Sequence, residues 1–499
     1  MTTTCDTLPS EAPAAAGAAD DTTADQPAGY GVLRWLVLAT FIVILNETIM
    51  INAIPRLMGE FEVSARSAQW LSTAFMLAMA TVIPVTGWFL QRVTTRAAFA
   101  TAMLVFCTGT LLAALAPTFP VLLGARVVQA AGTAVMMPLL MTTLMTVVPA
   151  HDRGRVMGNV TLAMSCAPAL GPAVSGVVLQ WLSWRWMFGL VLPVAAAITV
   201  VGLRRLTNHG ETQAGSIDWF SVAAAAFGFG GFVYGLSQLG AESSALVSPY
   251  AMIGVGLAAI AVFVVRQLVL QRSDRPLLDL RTLRHPTFAV SLALMSVAFM
   301  AMLGSMILLP LYLQDVRGLN ALQTGLLVMP GGLVMGVMGP SVGRWFDRLG
   351  SRPLVIPGSV GIVTALALLT TVGRTTPVAL VLVAHVLLMV SLAAVFTPVF
   401  TVGLGALPPH LYSHGSSLLG TLQQVAAAVG TAVVVTVMSW RAAELAQAGS
   451  DPMDALVGGM QWAFGIGAVL AVGVLVLAFR LPRRTPAQGT GEPVPEAAA

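Results

Sequence analysis

The sequence predicts an all-α polytopic membrane protein, and three observations carry that reading. Hydrophobic residues make up 57% of the 499 and charged residues only 9%, against roughly 25% charged in an average soluble domain. Apolar runs of about 20 residues, each long enough to cross ~30 Å of hydrocarbon as a helix, recur from Gly31 to Arg480. A ten-residue pattern also appears twice, in two of the loops between those runs.

The elements follow in order. Residues 1–30, rich in Ala, Thr and Asp, lack the basic start and apolar core of a secretory signal and read as a disordered cytoplasmic tail. Span 1, 32–56, is an apolar run interrupted by Asn46 and Glu47. Span 2, 68–90, ends in Gly87-Trp-Phe-Leu-Gln-Arg-Val-Thr-Thr-Arg96. After span 3, 97–116, span 4, 119–147, carries Arg126, span 5, 156–181, carries Gly171 and Pro172, and span 6, 184–203, opens at Trp184. Spans 7 and 8 are 216–239 and 247–270. Gly228-Phe-Gly-Gly231 lies inside span 7 with no strand before it to make it a nucleotide loop, and no Walker-type sequence appears. Spans 9 and 10, 287–313 and 322–345, lead to Gly343-Arg-Trp-Phe-Asp-Arg-Leu-Gly-Ser-Arg352, which matches the pattern after span 2. Spans 11 to 14 are 353–372, 376–402, 411–440 and 456–480, and 483–499 reads as a second disordered tail.

The repeat divides the chain into an N-terminal six-helix half, 31–205, two inserted helices with a cytoplasmic linker, 206–285, and a C-terminal six-helix half, 286–482. Two halves around a central site fit a secondary transporter better than a channel or a membrane enzyme. All 25 basic residues are arginines. With the N-terminus in the cytoplasm, 18 of them fall on the inner side and six outside, leaving Arg126 within a span, so both termini are expected in the cytoplasm. The net charge of +4 is then topological, with no Arg/aromatic run suggesting a nucleic-acid surface. Cys5 lies in the tail and Cys107 and Cys166 within spans, so no disulfide or metal framework is expected.

Five motifs in the right order carry a resemblance. Leu45-Asn-Glu-Thr-Ile-Met-Ile-Asn-Ala-Ile-Pro55, Arg126-Val-Val-Gln-Ala-Ala-Gly132, Gly171-Pro172 continuing to Gly176, Trp184-Arg-Trp-Met-Phe188 and Gly415-Ser-Ser-Leu-Leu-Gly-Thr-Leu-Gln-Gln424 together resemble the major facilitator superfamily, in its fourteen-span branch of drug:proton antiporters. The resemblance covers about 30–480, and the Asn-Glu-Thr form of the first motif is similar to the lincomycin-efflux subgroup. It implies the major facilitator fold with fourteen transmembrane helices. The implied activity is proton-driven export of amphipathic drugs or antibiotics, lincosamides included, by alternating access across the cytoplasmic membrane. It needs no cofactor beyond the proton gradient and implies no enzyme activity. The expected partners are a small amphipathic molecule, protons and the bilayer, with the chain a monomer. Export of an endogenous lipid, peptide or secondary metabolite is the alternative, and a non-transporting membrane sensor a further one.

The expected chemistry centres on Glu47, an ionisable group at membrane depth that costs at least ~2.5–3.5 kcal/mol there. At about 1.5 Å per residue it lies ~21 Å from the inner boundary and Arg126 ~10 Å from the outer one, so the two reach nearly one depth. Sharing a wet cavity or pairing directly would offset the cost of each. Glu47 is therefore the expected proton carrier, unless it only hydrogen-bonds neighbouring helices or points at the outer interface. Arg126, Gln129 and Asn46 complete the proton-coupling set; Asn46 stands where the branch usually has Asp, and Gln129 either bridges Arg126 to the cavity or cross-links helices. Gly171, Pro172 and Gly176 are expected to pack or bend a gate between the halves. The inner loops supply a conformational latch of Gly87, Arg92 and Arg96 in the first copy and Gly343, Asp347, Arg348, Gly350 and Arg352 in the second. Asp347 would meet helix N-terminal dipoles or the arginines Arg348 and Arg352. In the first copy Gln91 replaces the Asp and Thr94 the Gly, which should weaken that half. His385 could titrate or simply hydrogen-bond within span 12.

Overall fold

The computed structural model describes residues 30–50, 53–208, 215–239 and 248–483; apart from Tyr30 and Arg483 both predicted tails lie outside that range. Those residues form helices with no strand among them, and fourteen segments are long and apolar enough to cross a membrane. Because fourteen crossings are even, the first helix begins and the last ends on the same side of the bundle.

Helix α1, Gly31–Ile49, is followed by the short α2, Ile54–Glu60, with Pro55 at its start. The predicted first span, 32–56, is therefore two helices, and Glu47 sits in the last turn of α1 rather than mid-helix. Helices α3 to α7 (Ala65–Arg92, Thr95–Ala114, Phe119–Val147, Arg153–Trp181, Arg185–Arg205) complete the first six crossings. Span 7 is α8, Trp219–Ala225, a π-helical turn at Ala226–Gly230, and α9, Gly231–Ser237; span 8 is α10, Pro249–Leu270. The last six crossings are α11, Pro286–Leu311, α12, Ala321–Leu349, α13, Arg352–Leu369, α14, Val378–Gly405, α15, Tyr412–Gln447, and α16, Pro452–Ala478.

Local chemistry sets the ends. Ser64 and Thr94 cap α3 and α4 by accepting from Ser67 and Ala97 N–H at 3.2 Å each. Asn320 and Gln323 form a reciprocal capping box on α12. Gly350 ends α12 at φ 82°, a conformation a side chain disfavours. Thr94, the residue at the matching place in the first copy, has φ −67° and serves as a cap instead, so that loop has no need of the glycine.

Packing repeats with the sequence. In the first half α1 lies against α5, α6 and α7, and α4 against α5 and α7; in the second α11 lies against α14, α15 and α16, and α13 against α14 and α16. Between halves, α6 runs along α12 and α3 along α15. The two seams differ in reach. On α12, Gly332, Gly336, Gly339 and Gly343 turn their bare backbone to Ala169, Cys166, Gly158 and Gly154 of α6, so the helices stay together over ~16 Å of α12 at about 1.5 Å per residue. Between α3 and α15, Gln91 meets His410 in the turn before α15, Gly87 meets His414, and Ile83 meets Ser417 and Gly420, a stretch of ~12 Å along α3 by the same rise.

Candidate functional site

The polar group on α5 is built by close approach of α4. A Cβ on Gly109 would come 2.5 Å from the Gln129 backbone N, and one on Gly132 would meet Ala102 O and Phe106 N at 2.5 and 2.6 Å, so both positions demand glycine. That proximity lets Gln129 Nε2 donate to Thr110 Oγ1 at 2.8 Å while its Oε1 accepts from Arg126 Nη1 at 2.7 Å. Thr110 passes its own proton to the Phe106 carbonyl at 2.7 Å. Arg126 is only 1% exposed, and its guanidinium lies 4.2 Å over the Phe75 ring of α3. A desolvated cation over an aromatic face is stabilised by ~2 kcal/mol. Gln129 thus ties Arg126 to α4; Phe75 and Thr110 lie on other helices and carry no mark in the sequence.

Glu47 is half-buried and lies within electrostatic range of Arg126, without an ion pair between them. The arrangement leaves the carboxyl reachable while the guanidinium is locked. Asn46, the preceding residue, is turned about 100° around the helix from Glu47. It is fully buried, and neither its Oδ1 nor its Nδ2 has a hydrogen-bond partner; Arg126 Nε also has none. Thr48 donates to the Leu45 carbonyl at 3.0 Å, and a Cβ on Gly171 of α6 would collide with its hydroxyl. Gly171 therefore lets α6 close on α1 beside Glu47. Pro172 follows it inside α6, whereas a Cβ on Gly176 would have no atom within 4 Å. Among the described residues, then, none stands close to that face of α6 at Gly176.

The residues expected to form a latch lie at the end of the bundle where α1 begins and α16 ends. Asp347 accepts from the Gly154 and Arg155 N–H groups at 2.9 and 2.7 Å, capping the start of α6 from the opposite half. Gly343 is pressed against the Gly154 backbone. In the first copy Gly87 faces His414, with Nδ1 2.8 Å from where a Cβ would lie, and Gln91 donates to the His410 carbonyl at 2.9 Å. The two copies are thus chemically opposite, an acceptor in one and a donor in the other. The arginines stay within their own halves or the linker: Arg92 donates to the Gly215 carbonyl at 3.2 Å and stacks on Trp88, and Arg352 donates to the Leu481 carbonyl. Arg96 uses its backbone N–H, to Asn208 Oδ1 at 3.2 Å, and Arg348 is exposed.

Further links across the seam were not anticipated: Ser417 Oγ to the Ile83 carbonyl at 2.5 Å, Thr142 to Ser416 at 2.8 Å, Thr161 to Thr397 at 2.9 Å, and Arg153 to Tyr412 Oη at 3.3 Å. All lie toward the end that carries the termini. His385 packs on Gly331 and contacts the Val328 carbonyl at 3.1 Å within the second half. At the other end Glu60 accepts from Trp184 Nε1 at 2.7 Å and from Arg185, whose guanidinium holds the carboxyl below the usual carboxylate range.

Comparison with known proteins adds three findings. The family model described as Major Facilitator Superfamily matches residues 36–431. An MFS-type transporter of Bacillus subtilis, YcnB, is 38% identical over 92% of this chain and 96% of its own length; the lincomycin resistance protein LmrB of Listeria monocytogenes is 39% identical over 90% and 96%. The crystal structure of the human organic anion transporter MFSD10 superposes with a TM-score of 0.65 at 16% identity, covering 91% of this chain and all of that one.

Proposed function

The chain belongs to the Major Facilitator Superfamily, and from that premise we propose that it is a proton-driven antiporter exporting amphipathic drugs, lincosamides among them, across the cytoplasmic membrane. The observation that carries this reading is Glu47, a half-buried carboxyl in the field of an arginine that is itself fixed by Gln129 and Phe75. The LmrB relative, named for lincomycin resistance, supports the substrate class.

The arginine distribution puts both termini in the cytoplasm, so the closed end is the inner one and the conformation faces outward. From this state Glu47 takes a proton from outside. Neutralising it removes its attraction to Arg126; the halves then rock, the contacts of Asp347, Gln91 and Ser417 part, and drug arriving from the cytoplasm or inner leaflet promotes deprotonation to the inside. The membrane potential supplies ~2.3 kcal/mol per charge per 100 mV. Gly171 against Thr48 keeps α6 on the helix that carries Glu47, so protonation and gating share one contact.

The test is proton release on adding lincomycin or ethidium to inside-out vesicles with an acidic interior, for this chain and for Glu47→Gln. Substrate-triggered release that disappears in the variant is expected. Release that survives would move the proton site away from Glu47, and none in either protein across a wide substrate panel would favour a lipid, peptide or metabolite cargo.

A further inference from the structure

The two inserted crossings carry none of the residues used above, yet they are built as a unit. Gly256 faces the Phe232 backbone N at 2.5 Å, Gly235 the Ile253 N at 2.8 Å and Gly228 the Ile260 N at 3.0 Å, where a Cβ on each glycine would lie. Within Gly228-Phe-Gly-Gly231, Gly228 joins span 7 to span 8 by direct backbone approach, Gly231 lies in ordinary contact with Gly256, and Gly230 faces the other way, toward α3. Asp218 and Arg266 add an ion pair at 3.0 Å, and Gln267 Nε2 donates to Ser221 at 2.8 Å.

The pair sits over one seam only. Tyr234 stacks on Trp70 of α3 with ring centroids 5.6 Å apart, a Cβ on Gly230 would lie 3.3 Å from Thr81 Oγ1 of α3, and the Gly215 carbonyl accepts from Arg92. Its contact with the other half is made by α9 against α15. Span 8 is the outermost helix, with 17% of its most apolar window buried, the lowest share of the fourteen. The seam so covered is the less extensively packed one, and the contacts named for it lie toward the inner end, whereas the α6–α12 seam is closed along its length by direct helix contact.

We propose that spans 7 and 8 are a cover fixed to the first half, which slides over α15 as the halves rock and seals the outer part of the α3–α15 seam from lipid. Substrate then leaves through the water-filled mouth and not sideways into the outer leaflet. The proposal rests on the outward-facing, alternating-access reading above. A helix pair held to α3 by the Tyr234–Trp70 stack, the Gly230–Thr81 contact and the Arg92–Gly215 hydrogen bond moves with α3, and only its α9–α15 face can yield. For an amphipathic cargo the consequence is direct: release into the outer leaflet would allow it to flip back, and release into water does not.

Two measurements test this in a chain with Cys5, Cys107 and Cys166 replaced by Ser. In the first, Thr81→Cys is labelled by a bilayer-partitioned maleimide with and without Tyr234→Ala. Labelling about tenfold faster in the double variant is expected, because loosening the cover populates locally open states; equal rates would overturn the cover. This readout needs no transport, so it fails or succeeds independently of the proton-antiport reading. In the second, Thr81→Cys with Gly230→Cys is oxidised to a disulfide, and ethidium accumulation in vesicles is compared before and after. Transport within about twofold is expected of a cover that rides on α3, since a Cβ on Gly230 would lie 3.3 Å from Thr81 Oγ1, the place a bridging sulfur would take. Arrest that reduction reverses would show that the pair must leave α3, and would overturn the proposal.

Discussion

Gln129 is the residue on which the buried polar group turns, because its two ends serve helices α5 and α4 at once. Gln129→Leu strands an arginine donor and Thr110, and leaving such groups unsatisfied costs ~1–3 kcal/mol each; thermal unfolding in detergent should show a clear loss, with transport impaired. Asn46→Leu breaks no hydrogen bond, since both amide atoms are already unpartnered, so stability should hold or rise. The spacing of Arg126 and Gln129, three apart on a helix, made their pairing legible in the sequence. Their partners Phe75 and Thr110 come from α3 and α4, and no periodicity within one helix registers a neighbour on another. The same limit applies to Asn46, whose burial depends on how α1 is turned in the bundle.

Individual helices show where composition speaks and where it stops. Hydropathy located fourteen crossings because each must bury its own backbone in hydrocarbon. It could not find the end of α1 at Ile49, since apolar residues continue past it to Leu57. Motif glycines look alike in sequence and differ in surroundings. Gly171→Ala drives a methyl into Thr48 and should abolish most transport, while Gly176→Ala meets open space and should leave transport unchanged in the same vesicle assay. The first latch offers a sharper contrast. Restoring the carboxylate with Gln91→Asp would set it near the His410 carbonyl in place of a donor, so drug transport should fall. The outer end carries a pH response. Glu60 has a folded pKa below its unfolded value, so its contribution is full above ~4.3, the ordinary Glu value, and is lost as pH falls through the folded value. Its partial exposure limits the effect to under ~1 kcal/mol. Glu60→Gln should therefore flatten the drop in melting temperature between about pH 5 and pH 3, around that ordinary value.

Across the whole molecule the packing repeats helix for helix: α6 lies beside α12 and α14, and α15 beside α3 and α5. The hydrogen bonds named between the halves sit toward the end where α1 begins and α16 ends. Cysteines at Thr161 and Thr397, whose hydroxyls are 2.9 Å apart, should form a disulfide that halts transport until reduced; transport persisting while cross-linked would mean that the halves need not part there. The α6–α12 seam has one more effect, on tempo. Where Gly332, Gly336, Gly339 and Gly343 face the neighbouring helix with bare backbone, there are few rotamers to reset each time the surfaces separate and rejoin. Turnover through such a joint should have a shallow temperature dependence, and filling it with Gly336→Ala should steepen the Arrhenius slope of transport in the vesicle assay, as expected if the glycine stripe works as a bearing that keeps motion fast in the cold.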